Sequence, residues 1–136
     1  MNILVIDAQG GGIGRQIITE IKSRFQDQVI TAVGTNSIAT SNMLKAGADQ
    51  AATGENAVIV GCRKADIIIG PIGIAIADSM LGEVTPAMAA AVGSSNASRI
   101  LIPFQHCDSI IVGVSEKNTG RLVSEAMREL EQLISN

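Results

Sequence analysis

Five short apolar runs punctuate the chain: "ILVI" at Ile3–Ile6, "VITAV" at Val29–Val33, "DIIIG" at Asp66–Gly70, "RILIP" at Arg99–Pro103 and "IIVGV" at Ile110–Val114. They are mostly continuous and rich in β-branched residues rather than alternating, the pattern of strands covered on both faces. A weaker sixth candidate, "DQAAT" (Asp49–Thr53), lies between the second and third of these runs. Helical spacing fills the gaps. Ile13, Ile17, Ile18, Ile21 and Phe25 form one apolar face, with Arg15, Gln16, Thr19, Lys22 and Ser23 opposite.

Capping signals place the next helices. One is predicted over Ser37–Ala46, with Asn36 or Ser37 as N-cap and Gly47 as stop, and another over Glu55–Ala65. After the "DIIIG" run come two short helices. The first spans Ile74–Leu81 and ends at Gly82; the second spans Pro86–Val92, with Thr85 as cap, Pro86 opening the helix and Gly93 just past its end. A last helix, Thr119–Ile134, aligns Leu122, Ala126, Leu130 and Leu133. Only "FQHCDS" (Phe104–Ser109) separates the last two strands, too short for a parallel crossover, so the sixth strand is expected as an antiparallel edge. Alternating strands and helices with right-handed crossovers give a doubly wound, Rossmann-like α/β fold. The expected architecture is one three-layer domain over residues 1–136, its mostly parallel sheet ordered 3-2-1-4-5-6.

Composition narrows the partner. With 136 residues and a formal charge of −3, the chain has no lysine or arginine cluster, which argues against a nucleic-acid or anionic-membrane surface and for a small ligand. No apolar run approaches the ~20 residues that cross a bilayer. Two distant cysteines, Cys62 and Cys107, with no signal peptide ahead of them, point to a reducing cytoplasm without disulfides. No Cys, His, Asp and Glu spacing resembles a metal site, and no metal is expected.

In this fold class ligands bind beyond the carboxyl ends of the strands, where strand order reverses. The turns there are "DAQGGGIGR" after strand one, "GTNS" after strand two, "GPIG" after strand four and "FQHCD" after strand five. Glycines at the first turn let the backbone curl towards an anion, and the following helix offers unpaired N–H groups. The candidate ligand contacts are therefore Asp7, Gln9, Gly10, Gly11, Gly12, Ile13, Gly14 and Arg15, walled by Thr35, Asn36 and Ser37 and by Gly70, Pro71 and Gly73. The bland alternative for the glycines is close packing of the first helix on the sheet. Asp7 either orients a ligand hydroxyl or satisfies loop N–H groups.

The loop departs from each standard template. G-x-G-x-x-G fits Gly10 and Gly12 but lands on Arg15; G-x-x-x-G-I-G fits Gly12 to Gly14 but starts at Ala8; a P-loop requires glycine at Gln9 and lysine at Arg15. Strand two ends without the acidic residue that holds a ribose diol, and without an arginine for a 2′-phosphate. No tyrosine is present, which excludes short-chain dehydrogenase catalysis. His106, Cys107 and Asp108 are consecutive, but neighbours in one loop rarely converge on a point, and a turn histidine is the plainer reading. Glu55, Asp78 and Glu83 read as helix-end charges, with lining of the cleft as the alternative. The apolar segment Ile72–Gly93 is either a homo-oligomer or partner-docking face, or a deep core position.

The motifs "IDAQGGGIGRQI", "GTNSIATSNMLKAGA", "ATGENA", "ADIIIGPIGI", "MLGEVTPAMA" and "RILIPFQ" together resemble a family of short bacterial proteins, common in anaerobic Gram-positive lineages and described as a domain of unknown function. The resemblance spans essentially the whole chain and implies a single Rossmann-like domain with the "GGGIG" loop. The residues themselves point to a protein that holds a nucleotide or dinucleotide, NAD(P) or a mononucleotide, with its phosphate on Gly10 to Gly14. The alternatives are a small enzyme acting on a phosphorylated or carboxylated metabolite through Asp7, His106 or Asp78, and a non-catalytic accessory subunit docking on a larger enzyme.

Overall fold

Strand β1 (Asn2–Asp7) lies at the centre of a five-stranded sheet, flanked by β2 (Val29–Gly34) and β4 (Ile67–Pro71), with β3 (Gln50–Thr53) and β5 (Ser98–Ile102) at the edges. All four pairings are parallel, in the order β3-β2-β1-β4-β5. The structure, a computed structural model, describes residues 1–103, 109–115 and 118–136. Helices α1 (Gly12–Arg24), α2 (Ser37–Lys45), α3 (Glu55–Lys64), α4 (Pro86–Ser94) and α5 (Thr119–Ser135) cover the sheet.

The continuous runs predicted strands buried on both faces, and the two hydrophobic clusters divide them accordingly. Ile3, Val5, Ile67 and Ile69 pack against Ile13, Ile17, Ile18 and Ile21 of α1 and Leu122, Val123, Ala126 and Leu130 of α5. Leu4, Ile6 and Ile68 face the other way, onto Val58 and Cys62 of α3 and Met88, Ala89 and Val92 of α4. Each fully buried isoleucine in such a layer contributes about 1.5–3 kcal/mol relative to an exposed one. The central strands are thus held by covering helices on both sides, and the loops at their carboxyl ends stand on a fixed frame.

Two caps hold as expected: the Asn36 side chain accepts from the Ala39 N–H, and Thr85 accepts from the Met88 N–H behind Pro86. Three other expectations fail. The sixth strand is absent among the described residues. Ile110 and Val112 are 93 % and 94 % exposed, and the Val114 N–H closes a turn onto the Ile111 carbonyl beside Gly113 at φ 90°. Helix α5, packed against β5, completes the layer over that edge instead.

The helix predicted over Ile74–Leu81 is also absent. A 3-10 turn at Ile72–Ala75 gives way to a loop closed by Asp78 N–H to Val84 carbonyl and Val84 N–H to Ser79 carbonyl hydrogen bonds. Spending these groups across the loop leaves Asp78, Met80 and Leu81 with left-handed backbones, at φ 64°, 55° and 59°. Burial of Ile74 and Val84 fastens its two ends. Finally, Gly93 does not stop α4 but lies within it, the helix running on to Ser94 with Ser95 as C-cap.

The apolar segment Ile72–Gly93 proves largely to be core. Ile74, Val84, Met88, Ala89 and Val92 belong to the second hydrophobic cluster, while Leu81 is 97 % exposed.

Candidate functional site

The strand order reverses between β1 and β4, and the loops that follow β1, β2 and β4 meet at the carboxyl edge there. Asp7, the last residue of β1, is 4 % exposed. Its Oδ1 accepts the Ala8 N–H at 2.7 Å and its Oδ2 the Gly14 N–H at 2.7 Å. Burial pushes the Asp7 carboxyl above its ordinary value, against the pull of N–H groups from Gly14, Ala8 and Ile13, and the charge of Glu83 adds to the rise. Of the two roles open to Asp7, the observed one is to satisfy loop N–H groups.

The glycines separate into two kinds. Gly11 is left-handed at φ 70°, and a Cβ there would lie 2.9 Å from the Ala39 backbone. A Cβ on Gly14 would meet Met43 Sδ at 2.5 Å and Asp7 Cβ at 3.0 Å. These two serve the approach of α1 to α2. Gly10 and Gly12 have nothing within 4 Å of an added Cβ and no positive φ. Both are exposed, and among the described residues neither N–H has a hydrogen-bond partner. Packing gives no reason for glycine at these two positions.

Two amides, one at the cap of α2 and one within it, brace the same loop. Asn36 Nδ2 donates to the Gln9 carbonyl and Asn42 Nδ2 to the Gly10 carbonyl, each at 2.8 Å. The Thr35 N–H donates to the Asp7 carbonyl at 3.1 Å.

Glu83, read first as a helix-end charge, takes its alternative place beside the loops after β1 and β2. It comes from the closed loop between β4 and α4, and its Oε1 accepts from the Gln9 N–H, the Thr35 hydroxyl and Asn36 Nδ2, each at 2.8 Å. Burial pushes the Glu83 carboxyl up, but those three hydrogen bonds outweigh it and hold the group below its ordinary range. One carboxylate oxygen therefore ties the loops after β1, β2 and β4 together. Its donors stand on other loops, so nothing local to Glu83 announced them.

The remaining candidates take other places. A Cβ on Gly70 would strike the Ile6 carbonyl oxygen, and one on Gly73 would meet Met80 Cε at 2.7 Å, so both are glycine for packing; Pro71 is buried at the end of β4. Ile13 is buried in the first cluster. Arg15 lines a groove with Gln16, Thr19, Glu20, Gly120 and Val123, beside α5. Ser37 is exposed in the first turn of α2. Glu55 bonds the Thr85 hydroxyl at 2.6 Å, joining α3 to the cap of α4. His106, Cys107 and Asp108 lie outside the described residues. Cys62 is buried on α3, and burial pushes its thiol up to about 11, so it is held as the neutral thiol. Among the described residues no three His, Cys, Asp or Glu side chains gather as a metal set, and no helix is long and apolar enough to cross a membrane.

The arrangement is able to receive an anion on the open backbone of Gly10 and Gly12, at the positive end of α1. The first turn of α1 carries no acidic side chain and its last turn carries Lys22 and Arg24, charges that accord with the helix dipole.

The chain belongs to a family described as a domain of unknown function (DUF3842), whose sequence profile matches residues 2–135. No curated protein matches it. Among solved structures it is similar to the dodecameric FMN-dependent UbiX-like decarboxylase from Escherichia coli O157:H7, at 16 % identity over 98 % of this chain and 76 % of that one, with a TM-score of 0.46.

Proposed function

We propose that this member of the DUF3842 family binds a nucleotide or dinucleotide, with a phosphate group on the Gly10 and Gly12 N–H groups at the start of α1. The observation that carries this reading is the pair of glycines without a packing role, exposed at the switch point between β1 and β4. Asp7 already takes the Ala8 and Gly14 amides, and the Gly10 and Gly12 amides, without a partner among the described residues, are the ones left for an external anion. NAD(P) and mononucleotides such as AMP both carry such a group. A buried free thiol at Cys62 accords with a reducing cytoplasm.

The test is Gly12→Val, at a position where an added Cβ meets nothing within 4 Å. Differential scanning fluorimetry and calorimetric titration with AMP, ATP, FMN, NAD and NADP are expected to show binding by the wild type. The variant is expected to keep its melting temperature and lose that binding. Undiminished affinity in the variant would make the loop purely structural.

A second part of the proposal is assembly with copies of the same chain. It is supported by the nearly complete exposure of three large apolar side chains, Leu81, Ile110 and Val112.

A further inference from the structure

We infer that Glu83 is the acceptor for a vicinal diol of the ribose type, replacing from another loop the carboxylate that β2 does not supply. The inference rests on the nucleotide reading above and names the sugar that reading leaves open. In dinucleotide-binding folds an acidic residue at the end of the second strand takes the ribose hydroxyls. Here β2 ends at Gly34 and is followed by Thr35 and Asn36, neither of which can bear a charge.

Glu83 supplies the charge at that spot. Its Oε1 lies 2.8 Å from the Thr35 hydroxyl and from Asn36 Nδ2, so the carboxylate sits over the carboxyl end of β2 although it arrives from beyond β4. The third hydrogen bond, from the Gln9 N–H, sets it directly beside Gly10. The proposed sugar and phosphate sites are then neighbours on this carboxyl edge, as a 5′-nucleotide requires.

The two oxygens of Glu83 are unequally used. Three donors converge on Oε1, whereas Oε2 has no hydrogen-bond partner among the described residues. An ionised carboxylate only accepts, so a ligand that completes it must bring hydroxyl or amine hydrogens. A ribose diol brings two hydroxyls at adjacent carbons. A 2′-phosphate brings negative charge instead, and among the described residues no Lys or Arg pairs with Glu83 to offset it.

Calorimetric titrations with AMP, 2′-deoxy-AMP, NAD and NADP, on the wild type and on Glu83→Gln, test this. In the wild type 2′-deoxy-AMP is expected to bind about tenfold more weakly than AMP, and NADP about tenfold more weakly than NAD, the usual scale for one hydrogen bond to a charged group. Both gaps are expected to close in Glu83→Gln. The wild-type comparison needs no variant, so a folding defect in Glu83→Gln does not remove the test. Equal affinity of the wild type for AMP and 2′-deoxy-AMP overturns the inference while the phosphate site stands. Tighter AMP binding by Glu83→Gln overturns it too, because Glu83 would then be occupying the ligand's place. Failure of every nucleotide to bind removes the nucleotide reading itself and the inference with it.

Discussion

Gly10 in the turn and Gly14 in the first turn of α1 obey opposite constraints. At Gly14 a methyl group meets the Met43 sulfur at 2.5 Å and Asp7 Cβ at 3.0 Å, so either α1 or the Met43 side chain must move. Gly14→Ala is expected to cost about 1–3 kcal/mol, the usual range for overpacking, read as a lowered midpoint in urea unfolding. Gly10→Ala meets nothing and has no positive φ, so its midpoint is expected within about 0.5 kcal/mol of the wild type. Equal losses at the two positions would contradict this division of roles. The sequence displayed a cluster of glycines and left packing and ligand contact as alternatives. Which applies where depends on Ala39 and Met43, residues of α2 whose approach to the loop is a tertiary event.

Among the elements, those with a strong local pattern were legible before folding. Four of the five strands follow continuous β-branched runs, and α2 and α4 begin at the capping residues that mark them. The segment from Ile76 to Val84 was not legible, because its apolar residues fall at helical spacing while its hydrogen bonds close between Asp78, Ser79 and Val84. Residues 110–114 carry a strand composition but lie as an exposed turn. The loop from Ile76 to Val84 delivers Glu83, whose three donors stabilise the charged form. Because the folded protein holds the Glu83 carboxyl below its unfolded value, the stability it contributes is complete above the ordinary glutamate range and lost as pH falls through it. Asp7 has the reverse sign: its raised carboxyl favours the fold below the ordinary aspartate value, and that contribution fades as pH rises. Urea unfolding of the wild type and Glu83→Gln across the acid range is expected to show a shallower acid-side loss in the variant. Identical slopes would mean that Glu83 is not held in its charged form by these contacts.

For the whole molecule, the sheet buries apolar residues on both faces and leaves a few large ones outside. Ile110 and Val112 stand 93 % and 94 % exposed on a turn with no role in either core cluster. Light scattering after size exclusion is expected to give a mass of two or more chains, and Val112→Lys to shift it towards one chain without lowering the melting temperature. A monomeric wild type at micromolar concentration would count against assembly through this turn.

The internal pairing of Asp7 carries a kinetic expectation for the proposed ligand. A carboxylate already fills the inner face of the first turn, donating nothing and accepting from Ala8 and Gly14, so the turn takes its shape with no guest present. Such preorganisation spares an incoming ligand the ordering entropy that a floppy glycine loop would demand. If the proposed ligand binds here, stopped-flow association is expected to show an observed rate that rises linearly with ligand concentration, and a plateau would reveal a rearrangement of the loop.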